Sequence, residues 1–199
     1  LNVLDVSSNA LGPDGVRAIC TALRTTISLK KLDVSFNNPG REPALSELLR
    51  NHVGLRSIGV VEAEPMSRME RTFHLDARAK EMIGRALLDS PYACVMYLQC
   101  DVFSLTEDST VLNWTSRAPC DAIVLAGVLR SNSTLTTLNL SATGDIGDYE
   151  REEIGRALLS NQCGRVGFCD IYGINEGGGG GEAKASKTYT CDLRDKEQV

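Results

Sequence analysis

Two histidines, His52 and His74, are the side chains of this 199-residue chain best suited to acid–base chemistry near neutral pH. Such chemistry requires an imidazole within hydrogen-bond reach of a second reacting group. No nucleophile motif accompanies either histidine, and they fall in a predicted helix-to-strand turn and a predicted return strand, respectively. The sequence therefore favours solvent-facing structural roles for both histidines and predicts no catalytic residue.

Five consecutive glycines, Gly177 to Gly181, are the second chemical candidate, because glycine allows backbone N–H groups to approach a phosphate closely. A phosphate-binding loop would continue with Gly-Lys-Ser/Thr at the start of a helix, whereas this run continues as Glu182–Ser186. The glycines are typical of a flexible hairpin tip. We therefore expect no nucleotide or other cofactor.

The seven cysteines include two pairs that resemble metal ligands, Cys94 with Cys100 and Cys163 with Cys169. Six residues along a strand span roughly 20 Å, too far for two ligands of one ion if both lie on the strand. Cys20, Cys100 and Cys169 fall where small core residues are expected. The odd count and the absence of CxxC predict buried thiols, no metal site and a cytoplasmic location.

Composition limits the partners of the chain. The net charge is −5, and Lys and Arg form no cluster of the kind that binds nucleic acid. No apolar run approaches the roughly 20 residues that span a bilayer, so membrane insertion is not expected. The chain starts without Met and inside a repeat, from which we expect it to be a piece of a longer protein.

These candidate residues lie within an internal repeat. Leu1–Asn9 returns almost unchanged as Leu29–Asn37, 28 residues later, and a period in this range predicts stacked strand–helix units. An LxxLxL frame recurs around six markers: Leu4, Leu32, Ile58, Leu98, Leu138 and Cys169. Alternation in this frame predicts short strands that bury the marker and point its two neighbours outward.

Between the strands, apolar residues recur at helical spacing. In the first such segment Val16, Ile19, Cys20 and Leu23 form one stripe, and Asp14 is a predicted cap for the free N–H groups. Two later segments, Glu81–Leu88 and Glu152–Leu159, nearly match at an offset of 71 residues. Strands and helices in alternation with short links predict a parallel sheet with right-handed crossovers.

Leu1–Asn9, Leu29–Asn37 and Leu129–Ser141 resemble the leucine-rich repeats of the ribonuclease-inhibitor-like class, which is also found in NOD-like receptors and Ran GTPase-activating proteins. The resemblance implies an α/β horseshoe solenoid with the parallel β-sheet on the concave side and helices on the convex side. It covers nearly all of residues 1–199, which we expect to form a single domain of about six irregular repeats.

The chain departs from this pattern at the asparagine that follows each strand. Asn9 and Asn37 are present, but the equivalent residues in the other units are Ala63, Phe103, Thr143 and Ile174. The buried asparagine ladder implied by the resemblance is therefore broken, and other groups must satisfy its hydrogen bonds.

The longer units contain additional β-prone segments after turn-like linkers, at Thr72–Asp76, Thr110–Thr115 and Thr188–Leu193. We interpret all three as return strands, which would form inserted β-hairpins with the preceding repeat strands. Such hairpins would project from one rim of the horseshoe.

Binding modules of this shape use the outward residues of their parallel strands. Aromatic and charged side chains concentrate there, a mixture typical of binding hot spots. The predicted partner-binding residues are Asp5, Lys31, Asp33, Tyr97, Gln99, Asp101, Asn139, Phe168, Asp170 and Tyr172.

Asp5 and Asp33 form a carboxylate pair on adjacent predicted strands. At a strand spacing of about 4.8 Å the two charges repel unless a positive group lies nearby. That group is either a basic residue of a partner or the local lysines, Lys30 and Lys31.

The predicted function is a protein–protein interaction module or scaffold without catalysis of its own, because stacked repeats offer a wide, rigid surface. One alternative is a GTPase-activating protein of the Ran type, in which Arg41 would be the inserted arginine. Another is the sensor repeats of a NOD-like receptor. A GTP hydrolysis assay tests the first alternative, and a nucleotide-binding domain elsewhere in the protein would establish the second.

Overall fold

The computed structural model describes residues 1–39, 43–61, 75–116, 118–140 and 146–161, and the backbone of residues 168–172 and 188–191. In these residues short strands alternate with helices. The strands are β1 (Val3–Asp5), β2 (Lys31–Asp33), β3 (Ser57–Gly59), β4 (Tyr97–Gln99), β5 (Ser104–Leu105), β6 (Val111–Asn113), β7 (Thr137–Asn139), β8 (Phe168–Tyr172) and β9 (Thr188–Cys191). The helices are α1 (Gly12–Leu23), α2 (Pro43–Asn51), α3 (Ala77–Asp89), α4 (Pro119–Leu129) and α5 (Asp148–Ser160).

Strands β1 to β4 form the predicted parallel sheet. Their markers lie opposite one another in the order Leu4, Leu32, Ile58 and Leu98. One backbone link recurs before β2, β3 and β4. Before β2, for example, Asn2 O accepts the N–H groups of Lys30 and Lys31 at 2.8 and 3.1 Å. Thr110 O receives the same pair of hydrogen bonds from the chain entering β7. The repeat is therefore a property of the backbone as well as of the sequence.

The structure corrects the prediction for Thr110–Thr115. Instead of folding back as a return strand, this segment contains β6, which pairs in parallel with β7 and sets Leu112 opposite Leu138. The sequence concealed this repeat because Ser109 replaces the first leucine of the frame and Trp114 replaces the last. The Trp114 side chain, 1% exposed, occupies the corresponding core position.

Two antiparallel hairpins accompany the parallel strands. In the first, β4 pairs with β5, and the described strands divide at this point into one sheet of β1–β5 and another of β6–β9. In the second, β8 pairs with β9, which confirms the predicted return strand for its residues 188–191. Of the predicted return strand Thr72–Asp76, residues 72–74 lie outside the described residues. Asp76 is the N-cap of α3 and accepts a hydrogen bond from Ala79 N at 2.8 Å.

Helix α1 confirms the predicted apolar stripe and corrects its predicted cap. Val16, Cys20 and Leu23 are buried against the core. Asp14 lies in the first turn, where its carboxylate pairs with Arg17, and no side chain caps the helix.

Helix α4 is the most enclosed element in the described part of the chain, with every residue from Asp121 to Leu129 buried. Helices α3 and α5 both pack against it. Two glycines allow α3 to approach closely: a β-carbon built on Gly84 would lie 2.6 Å from the Ile123 carbonyl carbon, and one on Gly127 would lie 2.7 Å from Leu87 Cβ. A continuous apolar core extends from α1 to α5.

The asparagine ladder is intact where its asparagines are present. Asn37 donates through Nδ2 to Val6 O at 2.8 Å and accepts at Oδ1 from Asn9 N at 3.0 Å, so it joins the first two repeats. Phe103, at the equivalent site after β4, is buried in the core instead, and its carbonyl accepts a hydrogen bond from Cys100 N at 3.0 Å. The other predicted breaks, Ala63, Thr143 and Ile174, lie outside the described residues.

A second polar ladder, which the sequence did not reveal, lies at the opposite ends of the strands. His52 accepts at Nδ1 from the N–H groups of Gly54 and Leu55 at 3.1 and 3.0 Å, and its Nε2 lies 2.8 Å from Thr26 O. The prediction of a solvent-facing His52 is wrong, since the residue is only 3% exposed. His74 lies outside the described residues.

Other polar residues continue this ladder in later repeats. Ser90 donates to Arg50 O, Asn132 donates to Met96 O at 2.8 Å, and Asn161 donates to Asn132 O at 2.7 Å. Because buried N–H and C=O groups need partners, these side chains satisfy the backbone where each helix turns back into the sheet.

Candidate interaction surface

The outward face of β1–β4 carries several of the residues predicted to bind a partner. On β1–β4 the structure aligns two columns, Val3–Lys31–Ser57–Tyr97 and Asp5–Asp33–Gly59–Gln99. On β6–β8 the corresponding columns are Val111–Thr137–Phe168 and Asn113–Asn139–Asp170. The columns follow the predicted register, with the β4–β5 hairpin between the two sets. Val111 and Asn113 are further outward residues, which the sequence did not reveal because β6 was predicted to be a return strand.

Asp5 and Asp33 each accept a hydrogen bond from the turn that follows their own strand. The Asp5 carboxylate accepts a hydrogen bond from Ser7 N, and the Asp33 carboxylate accepts one from Ser35 N, both at 2.9 Å. Hydrogen bonds from the hydroxyl and the backbone N–H of Ser7 lower the pKa of Asp5. The Asp5 carboxylate therefore remains ionised on the outward face.

Gly59 makes room for one of these carboxylates. A β-carbon built on Gly59 would lie 2.5 Å from Asp33 Oδ1, closer than any ordinary contact. The missing side chain allows the Asp33 carboxylate to lie over β3. Glycine within a strand often marks such a close approach.

Lys31 is paired within the chain. Its ammonium lies 2.7 Å from Glu107 Oε1, in the turn that follows β5, and this hydrogen bond raises the pKa of Lys31. Both side chains remain about half exposed. The turn after β5 therefore reaches over the outward face as far as β2.

The remaining predicted binding residues differ in exposure. Gln99 is exposed, and Tyr97 and Asn139 are half-buried. Phe168, Asp170 and Tyr172 lie on β8, whose backbone pairs with β7 and β9, and their side chains lie outside the described part of the structure.

Asp101 belongs to a different cluster. Its carboxylate lies 3.0 Å from Lys80 Nζ, which is also 3.0 Å from Asp121 Oδ1, and Ser116 donates to the other oxygen of Asp121. The side chains of Asp101, Lys80 and Asp121 are only 18%, 13% and 6% exposed. This ion triad joins α3, the chain after β4 and the first turn of α4.

Burial opposes the charge on Lys80, but the hydrogen bonds to Asp101 and Asp121 outweigh burial and raise the pKa of Lys80. The sequence signal for the triad is a lysine next to Ala79 on the buried face of a predicted helix. Burial is also the main cause that raises the pKa of two nearby thiols, Cys100 and Cys120, which therefore remain protonated at neutral pH.

The cavity beside this cluster is too small for a substrate. A cavity lined by Lys80, Cys100 and Asp121 has a volume of about 10 Å³, room for at most one water molecule. Open grooves of about 390 and 350 Å³ lie on either side of α3 and are lined by its polar residues and those of neighbouring helices. In the described residues no group of three or more His, Cys, Asp or Glu side chains is placed to hold a metal ion.

Comparison with known proteins supports the repeat interpretation. A family model described as Leucine Rich repeat matches residues 1–20 and 131–148. No curated protein matches the chain. Among solved structures, the tropomodulin C-terminal domain of Caenorhabditis elegans shares 12% identity at a TM-score of 0.45, covering 81% of this chain and 84% of its own.

The two matched regions, together with the mixed α/β fold and its parallel strands, support a leucine-rich repeat protein. Repeats of this kind usually form extended surfaces for binding other proteins. None of the helices in the described ranges is long and apolar enough to cross a membrane.

Proposed function

We propose that this chain is a protein-interaction module that binds a partner protein on the outward face of its parallel strands, without catalysis of its own. The observation that carries the proposal is the register of β1–β4, which aligns outward side chains from four repeats into two columns. The proposed surface comprises Asp5, Lys31, Asp33, Tyr97, Gln99, Asn139, Phe168, Asp170 and Tyr172. Asp101 is left out because the Lys80 ion triad engages it.

The rigidity of this surface supports the proposal. Buried markers such as Leu32 and Ile58, at 2% and 1% exposure, hold each strand from the inner side. The outward residues can therefore be presented to a partner without a large ordering cost, which favours affinity. The carboxylates of Asp5 and Asp33 favour a partner with a basic residue at this point.

The proposal includes the ribonuclease-inhibitor-like horseshoe, in which the outward face would line the concave side. It also includes a cytoplasmic location. Among the described cysteines, Cys94, Cys100 and Cys120 are free thiols, in keeping with a reducing compartment.

The proposal is tested by affinity capture from cytosol with the native chain and with the variant Asp5→Lys/Tyr97→Ala/Gln99→Ala. A matched variant, Glu81→Ala/Glu152→Ala, changes exposed side chains on the helices instead. We expect a captured protein to bind the outward-face variant at least about tenfold more weakly and the helix variant with unchanged affinity. Circular dichroism and Trp114 fluorescence verify folding. Equal binding to the native chain and the outward-face variant would refute the proposal.

The GTPase-activating alternative remains a prediction. Arg41, the residue on which it depends, lies outside the described residues. Its test is GTP hydrolysis by a small GTPase with the native chain and with Arg41→Ala. The NOD-like receptor alternative shares the proposed binding surface and differs only in the rest of the protein.

A further inference from the structure

Three large apolar side chains project from equivalent helix-to-strand turns, those after α1, α2 and α3. Ile27, Val53 and Tyr92 are 78%, 62% and 58% exposed. The turns touch one another: a β-carbon built on Gly54 would lie 2.5 Å from Ile27 O, and Cys94 Sγ lies 3.2 Å from Val53 O. The three side chains therefore belong to one strip, whereas exposed apolar residues of a surface are usually scattered singly.

The second polar ladder holds this strip in place. The His52 side chain accepts a hydrogen bond from Gly54 N, and its Nε2 lies within hydrogen-bond distance of Thr26 O. His52 therefore fixes the turns that carry Val53 and Ile27. The Ser90 hydroxyl accepts a hydrogen bond from Tyr92 N at 3.0 Å and so fixes the turn after α3. A surface ordered before binding loses little conformational entropy when a ligand arrives.

Two basic residues, Lys30 and Arg56, adjoin the turns that carry the strip. Lys30 Nζ lies 3.1 Å from the position of a β-carbon built on Gly54, which places the ammonium beside Val53. Arg56 precedes β3 on the same edge, where its backbone N–H donates to Lys30 O at 2.9 Å. Both side chains belong to exposed residues, and neither has a carboxylate within ion-pair distance in the described part of the chain.

The charges of the neighbouring arginines are balanced by carboxylates. Arg24 pairs with Glu47, and Arg50 lies 4.0 Å from Asp89. The local excess of positive charge therefore comes from Lys30 and Arg56, in a chain whose net charge is −5.

We propose that the turn-edge strip, defined as Ile27, Lys30, Val53, Arg56 and Tyr92, binds an acidic peptide segment of a partner protein in which large apolar residues accompany the carboxylates. The apolar residues of the segment would cover Ile27, Val53 and Tyr92, and its carboxylates would meet Lys30 and Arg56. This surface lies at the edge of the repeats and is separate from the outward face of the sheets.

The charge of the strip favours this occupant over an anionic membrane and over a second copy of the chain. An anionic membrane is typically recognised by clusters of about four to eight basic residues, and this strip has two unpaired ones. A second copy of the chain docked strip to strip would bring Lys30 and Arg56 against like charges. An acidic, apolar segment is complementary to both features of the strip.

The test is selection of a random peptide library, displayed on phage, against the immobilised 199-residue chain. The variant Ile27→Ser/Val53→Ser/Tyr92→Ser serves for counter-selection. We expect the recovered peptides to be acidic and to contain large apolar residues. A synthetic copy of one peptide should lose at least about tenfold in affinity for the apolar variant and for Lys30→Glu/Arg56→Glu, and should bind more weakly at high salt.

The matched control is Val3→Ser/Val111→Ser, which removes apolar side chains of similar exposure, 56% and 54%, from the outward face. We expect this control to bind the peptide as tightly as the native chain does. Trp114 fluorescence verifies that all variants are folded. Because the control lies on the other surface, failure of this proposal is distinguishable from failure of the proposed function.

Several results would overturn the assignment. One is the absence of peptides that prefer the native chain to the apolar variant, and another is recovery of basic or uncharged sequences. A third is unchanged peptide affinity in Lys30→Glu/Arg56→Glu. Sedimentation of the native chain but not the apolar variant with phosphatidylserine vesicles would assign the strip to a membrane. Concentration-dependent dimers abolished only by the apolar variant would assign it to a second copy.

Discussion

Helices α3 and α5 contain nearly the same sequence in opposite settings. Glu81–Leu88 and Glu152–Leu159 share the Ile-Gly-Arg-Ala-Leu-Leu core at an offset of 71 residues. A β-carbon built on Gly84 would clash with the backbone of Ile123, whereas one on Gly155 meets no atom of the described residues within 4 Å. The same glycine is therefore required by packing in α3 and leaves open space in α5.

The contrast extends to the basic residue that precedes each motif. Lys80 joins two carboxylates in the nearly buried ion triad, whereas the ion pair of Arg151, at the equivalent position, is with Asp148, whose side chain is 95% exposed. Helix α4 explains the difference at Lys80, because Asp121 in its first turn contributes to the triad. Equal sequences thus acquire different energetic roles from the elements packed against them.

The largest predicted effect tests this contrast at the charged position. Lys80→Met removes the cation that faces Asp101 and the buried Asp121, so we expect a loss of about 3–5 kcal/mol in the free energy of unfolding. Arg151→Met breaks an exposed pair and should cost less than about 1 kcal/mol. Urea unfolding followed by Trp114 fluorescence measures both. Equal losses in the two variants would remove the proposed distinction between the helices.

The two glycines give the next largest difference. Gly84→Ala forces a methyl group against the α4 backbone, and overpacking of this kind costs about 1–3 kcal/mol. Gly155→Ala should instead stabilise the protein by up to about 1 kcal/mol, because alanine is the better helix former and the space is open. The opposite signs would appear as opposite shifts of the urea midpoint. Destabilisation by Gly155→Ala would show that the space beside Gly155 is filled by other atoms of the protein.

A smaller effect is expected where the two helices meet over α4. The guanidinium of Arg85 in α3 lies 5.2 Å from the centre of the Tyr149 ring in α5. A cation–π contact at such a partly exposed site contributes about 0.5–1 kcal/mol. A double-mutant cycle with Arg85→Ala and Tyr149→Ala measures the coupling energy in unfolding experiments. A coupling of zero would mean that the two helices are stabilised independently.

The smallest predicted effect is a pH dependence of the triad. Because the folded-state pKa of Lys80 is raised above its ordinary 10.5, its contribution to stability is fully present below that pH. The contribution is lost as the pH rises through the raised value. On the alkaline side we therefore expect the difference in unfolding free energy between the native chain and Lys80→Met to shrink above about pH 10.5. A difference that shrinks already near neutral pH would contradict the assigned direction.

The regular part of the fold was predictable because its signals are local. Markers such as Leu32 and Leu138 alternate with polar neighbours, and this period of two determines both the strands and the face they bury. The register of β1–β4 follows because the repeats align in sequence. Strand β6 was missed because Ser109 and Trp114 depart from the leucine frame, although Trp114 fills the same core position.

The candidate surfaces were predictable only in part. The alternation placed Asp5, Asp33 and Gln99 on the outward face, but it could not show that Lys31 meets Glu107 or that Lys80 engages Asp101. These contacts join segments that are distant in sequence. The turn-edge strip was missed for the same reason, since its residues lie in turns whose alignment depends on buried hydrogen bonds between repeats.

By itself, the sequence determined the repeating unit, the buried face of the repeat strands and the outward columns, because each depends on the spacing of apolar residues within a few positions. Only the tertiary structure decided which charges are paired, which glycine is required and which apolar turns form one strip. Those properties depend on distances of 3 to 4 Å between groups that are brought together by the packing of neighbouring repeats. The two copies of Ile-Gly-Arg-Ala-Leu-Leu show the division, since the local pattern makes both helical and α4 alone gives the first its close-packed glycine.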